Sequence, residues 1–375
     1  MNLEKMNYDR TNFAPLSHAR DTEPGELRFH WCAPLDSGQQ KATEKYRVGE
    51  LDFDGMVDFV READALGVDS LLMGIADYMP DPLPMIGALV RETQNVTFIL
   101  AYRPGLLSPT LFTQVVNTIS WMSDGRIALN LVAGISPAEQ AGYGDFVAHD
   151  GRYARTQEFL DICHRFWRGE KPLSYEGDHY VIKGAALGLG YKGGGRPEIY
   201  LSGASEIAQE TAAMYGDCWL RYGDTPEGMG AAARPVLDKG ARVGTRMHIL
   251  ARETRAQALA DLAAMQENPD EKHREWVAQV VAASDSQAVQ TSFRLAEQAD
   301  NDWLSPMIYS GFVPYRGGPA LCVVGSYQEV ADYLYQYKAV GVSEFIFSGW
   351  PTRDEMRIFY THVLPLIREN ERRQG

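Results

Sequence analysis

The stretch VTFILAYRPGLLSPTLFTQVVNTISWMSDGRIALNLVAG, residues 96–134, places a helical pattern between two mainly apolar runs. The runs at 96–103 and 127–134 are typical of parallel strands that are covered on both faces. Ser108 is a candidate N-cap and Pro109 stands at the first helical position, so the helix between the runs is predicted to begin there. The stretch therefore predicts a strand, a helix and a second strand.

The same alternation extends outward in both directions. Residues 53–67 repeat apolar side chains at spacings of three and four, which predicts an amphipathic helix. Eight candidate strands begin near residues 27, 70, 96, 127, 198, 218, 245 and 345. Strict alternation of strands and helices favours an α/β fold of the closed (β/α)8, or TIM barrel, type, and the open doubly wound sheet is the competing arrangement.

Two insertions interrupt the alternation. Residues 172–197 predict a hairpin and a Gly-rich loop, and residues 254–322 are expected to hold one or two helices and a long polar loop. Long insertions on a barrel commonly act as lids or subunit contacts. Because the sequence has neither a linker nor an internal repeat, we expect a polar N-terminal arm over residues 1–26 and a single barrel domain over residues 27–375.

The composition excludes several classes of protein. The 375 residues include 36 Lys and Arg against 50 Asp and Glu, a formal net charge of −14. An acidic chain without a basic run is a poor binder of nucleic acid, and no apolar run is long enough to predict a membrane span. The polar start lacks the pattern of a signal peptide and the four cysteines are widely spaced, so we expect a cytoplasmic enzyme with free thiols.

One familiar motif is misleading. Gly188, Gly190 and Gly193 spell the G-x-G-x-x-G pattern of dinucleotide-binding loops. That loop needs a strand before it and a helix after it, whereas a predicted strand follows here, so we interpret the segment as a flexible loop. The eight histidines lack the spacing of metal ligands, and we expect no metal site.

Active sites of (β/α)8 barrels lie at the carboxyl ends of the strands, and two predicted strand ends carry candidate residues for cofactor binding. Asn130 lies near the end of strand four. The sequence SGAS at 202–205 ends strand five and enters a helix, which suits a phosphate; an ordinary Ser-capped helix is the alternative. His149, Arg152 and Tyr153 stand at another helix start, where capping and packing explain them equally well.

Strand seven carries Arg246 and His248 two residues apart, on one face of the strand. A buried cation needs a partner or an anionic ligand, so the pair indicates an anion-binding site, with a structural salt bridge as the alternative. Arg316 opens the sequence Arg-Gly-Gly, which suits a loop that closes over a ligand. A solvated surface arginine is the other interpretation of Arg316.

Seven motifs in the same order along residues 27–370 resemble those of the bacterial luciferase-like flavin monooxygenases, most closely the alkanesulfonate monooxygenases. They are RPGLLSPT (103–110), SDGRIALNLVAG (123–134), HDGRYARTQEF (149–159), YLSGASEIAQETAA (200–213), GTRMHILARET (244–254), YRGGPA (315–320) and SGWP (348–351). The resemblance implies a (β/α)8 barrel that binds reduced FMN supplied by a separate NAD(P)H-dependent flavin reductase. It also implies a homo-oligomer.

By this resemblance, the protein would use reduced FMN and O2 to oxygenate and desulfonate a small organosulfonate, giving sulfite and an aldehyde. Arg246, His248 and Arg316 would be the catalytic residues around the sulfonate, and His248 would either orient the anion or move a proton. The residues expected to bind FMN are Asn130, His149, Tyr153, Ser202, Gly203, Ala204 and Ser205.

The residues expected to bind the substrate depart from the alkanesulfonate pattern at four places. Asp36 lies where those enzymes have a histidine after the first strand, and Met79 falls near the position of their cysteine. Trp350 replaces a tyrosine, and Tyr222, preceded by Arg221, replaces a tryptophan. These changes leave the expected cofactor unaffected and weaken the expectation of an alkanesulfonate.

Three alternatives remain open. The first is a flavin monooxygenase of the same fold that acts on another organosulfur compound, such as a sulfone or a sulfonated sugar. The second is a deazaflavin-dependent oxidoreductase, which needs no reductase. The third is a flavin-binding protein without turnover, against which the cations Arg246 and Arg316 argue, since a mere binder needs no cation cluster beyond the phosphate site.

Overall fold

The computed structural model describes residues 25–34, 38, 51–267 and 269–374. The strands, in chain order, are β1 (Arg28–Cys32), β2 (Ser70–Met73), β3 (Thr97–Tyr102), β4 (Ile127–Leu131), β5 (Leu173–Glu176), β6 (Val181–Ala185), β7 (Ile199–Ser202), β8 (Cys218–Tyr222), β9 (Arg242–Arg252), β10 (Trp303–Ser305), β11 (Ile308–Tyr309), β12 (Cys322–Ser326) and β13 (Val342–Ser348).

The helices are α1 (Phe53–Leu66), α2 (Pro82–Leu89), α3 (Pro109–Met122), α4 (Pro137–Gly142), α5 (His149–Trp167), α6 (Glu206–Tyr215), α7 (Pro226–Leu237), α8 (Arg255–Met265), α9 (Glu271–Ala282), α10 (Gln287–Gln298), α11 (Val313–Arg316), α12 (Tyr327–Ala339), α13 (Thr352–Ile358) and α14 (Leu364–Gln374). A π-helical turn, Phe359–Val363, joins α13 to α14. Within the described residues, no helix combines the length and the apolar character that crossing a membrane requires.

Eight parallel strands close into a barrel. The order is β1, β2, β3, β4, β7, β8, β9 and β13, and β13 pairs with β1 to complete the ring. The predicted closed barrel is therefore confirmed, and the alternative of an open doubly wound sheet is wrong. The predicted start of α3 is also observed, because the Ser108 hydroxyl accepts a hydrogen bond from the Leu111 amide at 3.3 Å, with Pro109 at the first helical position.

The segments predicted as insertions have their own secondary structure. The first contains the antiparallel hairpin of β5 and β6. The second contains α8, α9, α10, the strands β10 and β11 and the short helix α11, so the expectation of one or two helices was too low. Its strands β10 and β11 join the barrel through β12. Because β9 continues beyond the end of β8, β12 can pair with β9 from His248 onward. Most of the predicted N-terminal arm, residues 1–24, lies outside the described residues.

The SDGR sequence before β4 has a structural role. Arg126 is buried, and its guanidinium donates to the Val90, Thr93 and Val96 carbonyls and to the Thr93 hydroxyl at 2.7–3.1 Å. Gly125 adopts a positive φ of 85° in the turn that precedes it. Arg126 therefore joins the segment after α2 to the start of β4.

An ionic cluster, buried except for the partly exposed Arg242, closes the amino-terminal end of the barrel. Arg28 donates to both carboxylate oxygens of Glu198, at 2.8 and 3.1 Å, and to Glu344 at 3.3 Å. Arg242 donates to the same two carboxylates. We call these four residues the basal cluster. It joins the amino ends of β1, β9 and β13 to the residue that precedes β7.

The basal cluster holds two carboxylates ionised in the interior. Burial alone would raise the pKa of Glu198, but Arg28 and Arg242 lower it to about 2. Burial opposes ionisation of Glu344 as well, yet the same two guanidiniums hold its pKa well below its usual range. The Tyr200 hydroxyl also donates to Glu344, at 2.9 Å.

Replacing one carboxylate should expose the cost of the buried cations. Glu198→Gln leaves Arg28 and Arg242 without a charged partner at that position, so we expect a loss of roughly 3 kcal/mol in the free energy of unfolding at neutral pH. Wild-type stability should fall as the pH drops from about 4.3 towards 2, because Glu198 binds a proton more readily when unfolded. The difference in the free energy of unfolding between the wild-type protein and Glu198→Gln should therefore become smaller at low pH.

Urea unfolding at several pH values measures this difference. Glu210→Gln, at an exposed position, is the matched control and should change stability by less than about 0.5 kcal/mol. Equal effects of the two substitutions would contradict the structural role of the basal cluster.

Candidate active site

An apolar layer fills the lumen above the basal cluster. It consists of Cys32, Leu72, Ile99, Ala101, Ala128, Tyr200, Cys218, Leu220 and Ile346. Side chains alternate along a strand, so a residue two positions further on also faces the lumen, nearer the carboxyl end. Asn130, Tyr222 and Ser348 therefore lie at the mouth of the barrel.

The ends of β4 and β7 are joined by a side-chain hydrogen bond. The Ser202 hydroxyl donates to Asn130 Oδ1 at 2.7 Å. Asn130 is buried, and Ser202 is half-buried. The bond fixes the amide orientation of Asn130 at the mouth, where both residues were predicted to bind the cofactor.

The turn after β7 forms a compact polar cradle. Gly203 has a φ of +149°, and a Cβ at this position would lie 2.6 Å from the Tyr153 hydroxyl. Burial raises the pKa of Tyr153, whose hydroxyl is hydrogen-bonded to the Ser205 side chain. Ser205 also caps α6 by accepting from the Ala208 amide at 3.3 Å, with Ala204 between it and the glycine. We call Tyr153, Gly203, Ala204 and Ser205 the strand-end cradle.

His149 extends the strand-end cradle at the start of α5. Its ring lies 5.2 Å from the Tyr153 ring, and its Nδ1 lies 2.8 Å from Asp150 Oδ1. A cavity of about 310 Å³ opens beside it, lined in part by Arg152 and Asp285. Arg152 is buried and paired with Asp285 at 2.7 Å. The structure therefore brings the predicted cofactor residues of β7, α5 and α6 together.

On β9, both ring nitrogens of His248 are engaged. Nδ1 lies 2.9 Å from the Pro319 carbonyl oxygen, and Nε2 lies 2.8 Å from the Ser348 hydroxyl. Because a carbonyl oxygen only accepts, Nδ1 carries the hydrogen, and Nε2 accepts from Ser348. His248 therefore links the end of β13 to the loop that follows α11.

The surroundings of His248 keep it neutral. Its ring stacks on Trp350, with centroids 3.7 Å apart and planes 8° from parallel. Burial lowers the pKa of His248 to about 3, with further lowering by Arg246 and Arg316. The imidazole is therefore uncharged near neutral pH.

Arg316 ends α11 and is buried, so the interpretation as a solvated surface arginine is wrong. Its guanidinium carbon lies 5.7 Å from the centre of the Trp350 ring, and Phe312 meets the same ring edge-on at 5.0 Å. Arg246 is half-buried on β9, in register with Tyr222 and two residues before His248. These residues thus lie on the β9 side of the mouth. We call Arg246, His248, Arg316 and Trp350 the strand-seven cluster, because β9 is the seventh strand of the barrel ring.

The predicted substrate residues are distributed unevenly. Tyr222 packs against Gly318, where a Cβ would lie 2.3 Å from its ring, so it supports the loop after Arg316. Arg221 was expected beside Tyr222, but consecutive strand residues face opposite sides, and Arg221 pairs with Asp224 at 3.2 Å. The structure therefore does not bring Arg221 to the lumen.

Of the last two predicted substrate residues, Met79 and Asp36, only Met79 is among the described residues. Met79 is half-buried, and its sulfur would lie 3.2 Å from a Cβ at Gly74, just beyond β2. Asp36 lies outside the described residues. Among the residues that are described, no three or more His, Cys, Asp and Glu side chains are grouped to hold a metal ion.

Sequence reasoning missed three contributors to the mouth. Ser348 and the Pro319 carbonyl bind His248, and Arg103 follows β3 two residues beyond the lumen residue Ala101. The alternation of β3 and β13 was a usable signal for Arg103 and Ser348. The contact of Pro319 joins positions 71 residues apart in sequence, which no local pattern indicates.

A family model described as luciferase-like monooxygenase matches residues 27–344, most of the chain. The chain therefore belongs to the luciferase-like monooxygenase family. This confirms the family inferred from the seven motifs, while the alkanesulfonate branch stays a prediction.

Solved structures share the fold. DmoA from Hyphomicrobium sulfonivorans has a TM-score of 0.76 at 15% identity, covering 92% of this chain and 88% of that chain. EDTA monooxygenase from Chelativorans sp. BNC1 has a TM-score of 0.74 at 16% identity, covering 92% of this chain and 94% of that chain. An F420-dependent secondary alcohol dehydrogenase has a TM-score of 0.66 at 16% identity, covering 91% of this chain and 99% of that chain.

The neutral state of His248 can be observed directly. We expect its imidazole resonances to stay constant between about pH 8 and pH 5, because charging it requires a buried cation beside two arginines. NMR of protein labelled at histidine Cε1 measures this, and the spectrum of His248→Asn assigns the resonance. A midpoint near 6.5, the ordinary pKa of histidine, would contradict a buried neutral imidazole at this position.

Proposed function

We propose that this protein is a two-component flavin monooxygenase. In this proposal it uses reduced FMN and O2 to oxygenate and desulfonate a small organosulfonate, giving sulfite and an aldehyde. A separate NAD(P)H-dependent flavin reductase supplies the reduced FMN. The observation that carries the proposal is the pair of buried or half-buried arginines, Arg246 and Arg316, gathered around His248 at the mouth of a luciferase-like barrel.

The strand-end cradle fits the phosphate of FMN. Gly203 leaves room where a Cβ would collide with Tyr153, and the Tyr153 and Ser205 hydroxyls meet at the start of α6. The first backbone amides of a helix favour an anion. Asn130 and Ser202 extend this polar surface to β4, where they would contact the ring system of the flavin.

Bound in its reduced form, FMN supplies the electrons and the activated oxygen for the reaction. Arg246 and Arg316 bind and orient the sulfonate, because a guanidinium group can donate two parallel N–H···O bonds to two oxygens of an oxyanion. The same charges stabilise the negative charge that develops as sulfite leaves. Trp350 holds the Arg316 guanidinium in place through its ring face.

His248 acts as a positioning residue in this proposal. Both of its nitrogens are engaged and its pKa is lowered to about 3, so it does not donate a proton near neutral pH. Its Nδ1–H instead fixes the Pro319 carbonyl three residues after Arg316. His248 thereby sets the position of the cation that contacts the substrate.

The second insertion forms the cover that excludes water. Arg316, Phe312 and Val313 are buried although they lie in a connection outside the barrel strands. Exclusion of water strengthens the electrostatic interactions and protects the reactive form of the cofactor. We therefore assign residues 254–322 as the lid of the site.

Two alternatives rest on specific observations. Met79, Tyr222 and Trp350 depart from the alkanesulfonate pattern, which favours another organosulfur substrate, such as a sulfone or a sulfonated sugar. The similarity in fold to an F420-dependent alcohol dehydrogenase supports a deazaflavin-dependent oxidoreductase. Hydride transfer to F420 without FMN, reductase or O2 would identify this second alternative.

Sulfite release tests the proposal. We expect sulfite from at least one member of a panel running from methanesulfonate through long alkyl chains to hydroxylated sulfonates. Release should require FMN, NAD(P)H, O2, a flavin reductase and this protein. Arg316→Ala should lower it roughly hundredfold while the Kd for FMN stays within about twofold, since the cation contacts the substrate and not the phosphate.

Arg294→Ala is the matched control, because Arg294 is exposed on α10 of the same insertion. Sulfite from none of the sulfonates, with binding of reduced FMN confirmed, would reject desulfonation. Loss of FMN affinity in Arg316→Ala would instead reject the assignment of Arg316 to the substrate side.

A further inference from the structure

Arg103 is a buried cation at the mouth that the proposed function does not use. It directly follows β3, and the alternation through the lumen residues Ile99 and Ala101 places its side chain on the lumen side. Only 5% of its surface is exposed. A charged guanidinium in this position requires acceptors from the protein or from a ligand.

Two contacts hold the Arg103 guanidinium in one orientation. Nη1 lies 3.1 Å from Glu139 Oε1, and Tyr143 covers one face of the group, with its ring centre 4.6 Å away. Glu139 is itself fixed, because it accepts from the Asp77 amide at 3.1 Å. The guanidinium is therefore positioned in advance of any ligand.

The other edge of the guanidinium has no acceptor. Nε and Nη2 are both buried and, among the residues that the structure describes, neither has a hydrogen-bond partner. Their N–H groups point in the same direction and have the spacing of two oxygens of a carboxylate, sulfonate or phosphate.

Arg126 shows how this chain treats a structural arginine of similar burial. Both of its terminal nitrogens donate to oxygens of Val90, Thr93 and Val96. Buried polar groups are nearly always satisfied in this way. Within the described part of the chain, Arg28 and Arg155 each leave a single buried Nε without an acceptor, whereas Arg103 leaves both nitrogens of one edge, and a ligand would explain that pair.

We propose that the Nε–Nη2 edge of Arg103 is an oxyanion-binding site at the mouth of the barrel. It takes the acidic group of a small molecule bound there, through two parallel N–H···O bonds. The site rests on the proposed function for its two candidate ligands, the acidic group of the substrate and the phosphate of the flavin. In either case that group would bind at Arg103 in place of the strand-seven cluster or the strand-end cradle.

The position of Arg103 separates it from the other cations of the mouth. The barrel order places β4 between Arg103 and the strand-end cradle on β7, and places β1, β2 and β13 between Arg103 and the strand-seven cluster on β9. Adjacent strands are about 4.8 Å apart, so β3 and β7 are about 10 Å apart. Arg103 is thus a third position at the mouth, separate from those two groups.

Binding measurements with charged and neutral pairs of ligands test the proposal. The probes are reduced FMN against reduced riboflavin, kept free of O2, and octanesulfonate against octanesulfonamide. Each is titrated by calorimetry into the wild-type protein, Arg103→Met and Arg103→Lys. We expect Arg103→Met to raise the Kd of one anion roughly tenfold or more while its neutral partner is unaffected. Loss for FMN assigns the flavin phosphate, and loss for octanesulfonate assigns the acidic group of the substrate.

Arg103→Lys keeps the charge and loses the paired N–H groups, so its Kd for the anion should lie between those of the wild-type protein and Arg103→Met. It also replaces Arg103→Met in the test if that variant does not fold. Arg294→Met is the control for loss of an exposed positive charge. Unchanged affinity of both Arg103 variants for every anion that the wild-type protein binds would overturn the site, as would a wild-type protein that binds neither anion. Binding is measured without turnover, so the two proposals can fail separately. If anion binding depends on Arg103 but no sulfite is released, the desulfonation is rejected and the Arg103 site is retained.

Discussion

The basal cluster of two arginines and two glutamates is the constraint on which the barrel depends. Arg28 and Arg242 each bond to Glu198 and Glu344, so four chain segments that are distant in sequence meet at one end of the ring. Taking charges out of water is costly, and the cost is offset only when every charge is paired and hydrogen-bonded. The arrangement therefore opposes any shift in register among β1, β9 and β13.

With one end closed by charges and the lumen filled by apolar side chains, polar groups gather at the other end. The β7 side of the mouth presents the strand-end cradle of hydroxyls and small residues. The β9 side presents the strand-seven cluster, which is tied to the second insertion through His248 and Pro319. In the proposed function, the cofactor and the substrate are held by different strands, and the lid brings Arg316 to the substrate.

The sequence predicts the ring of strands well, because most barrel strands are short and largely apolar runs buried on both faces. It predicts the β7 part of the cradle for a local reason, since SGAS combines a strand end, small residues and a helix cap within four positions. The orientation of single side chains was harder. Arg221 was expected at the site because it adjoins Tyr222, although strand alternation sends it to the opposite side, where it meets Asp224.

Other features depend on contacts that no local pattern records. Glu198 and Glu344 are far apart in sequence and are brought together only by closure of the barrel. Arg126 belongs to a motif that supports the family resemblance, yet it binds backbone carbonyls and stabilises a turn. Arg103 lies in another of these motifs, and only its burial and its open edge distinguish it from a structural arginine.

A crystal structure with bound FMN tests most directly whether the strand-end cradle holds the phosphate of the cofactor opposite the strand-seven cluster. We expect phosphate oxygens within about 3 Å of the Tyr153 and Ser205 hydroxyls and of the first amides of α6. We also expect the flavin ring near Asn130, facing Arg246. A phosphate bound at Arg103 or at the strand-seven cluster, with the cradle filled only by water, would contradict the proposed arrangement of cofactor and substrate.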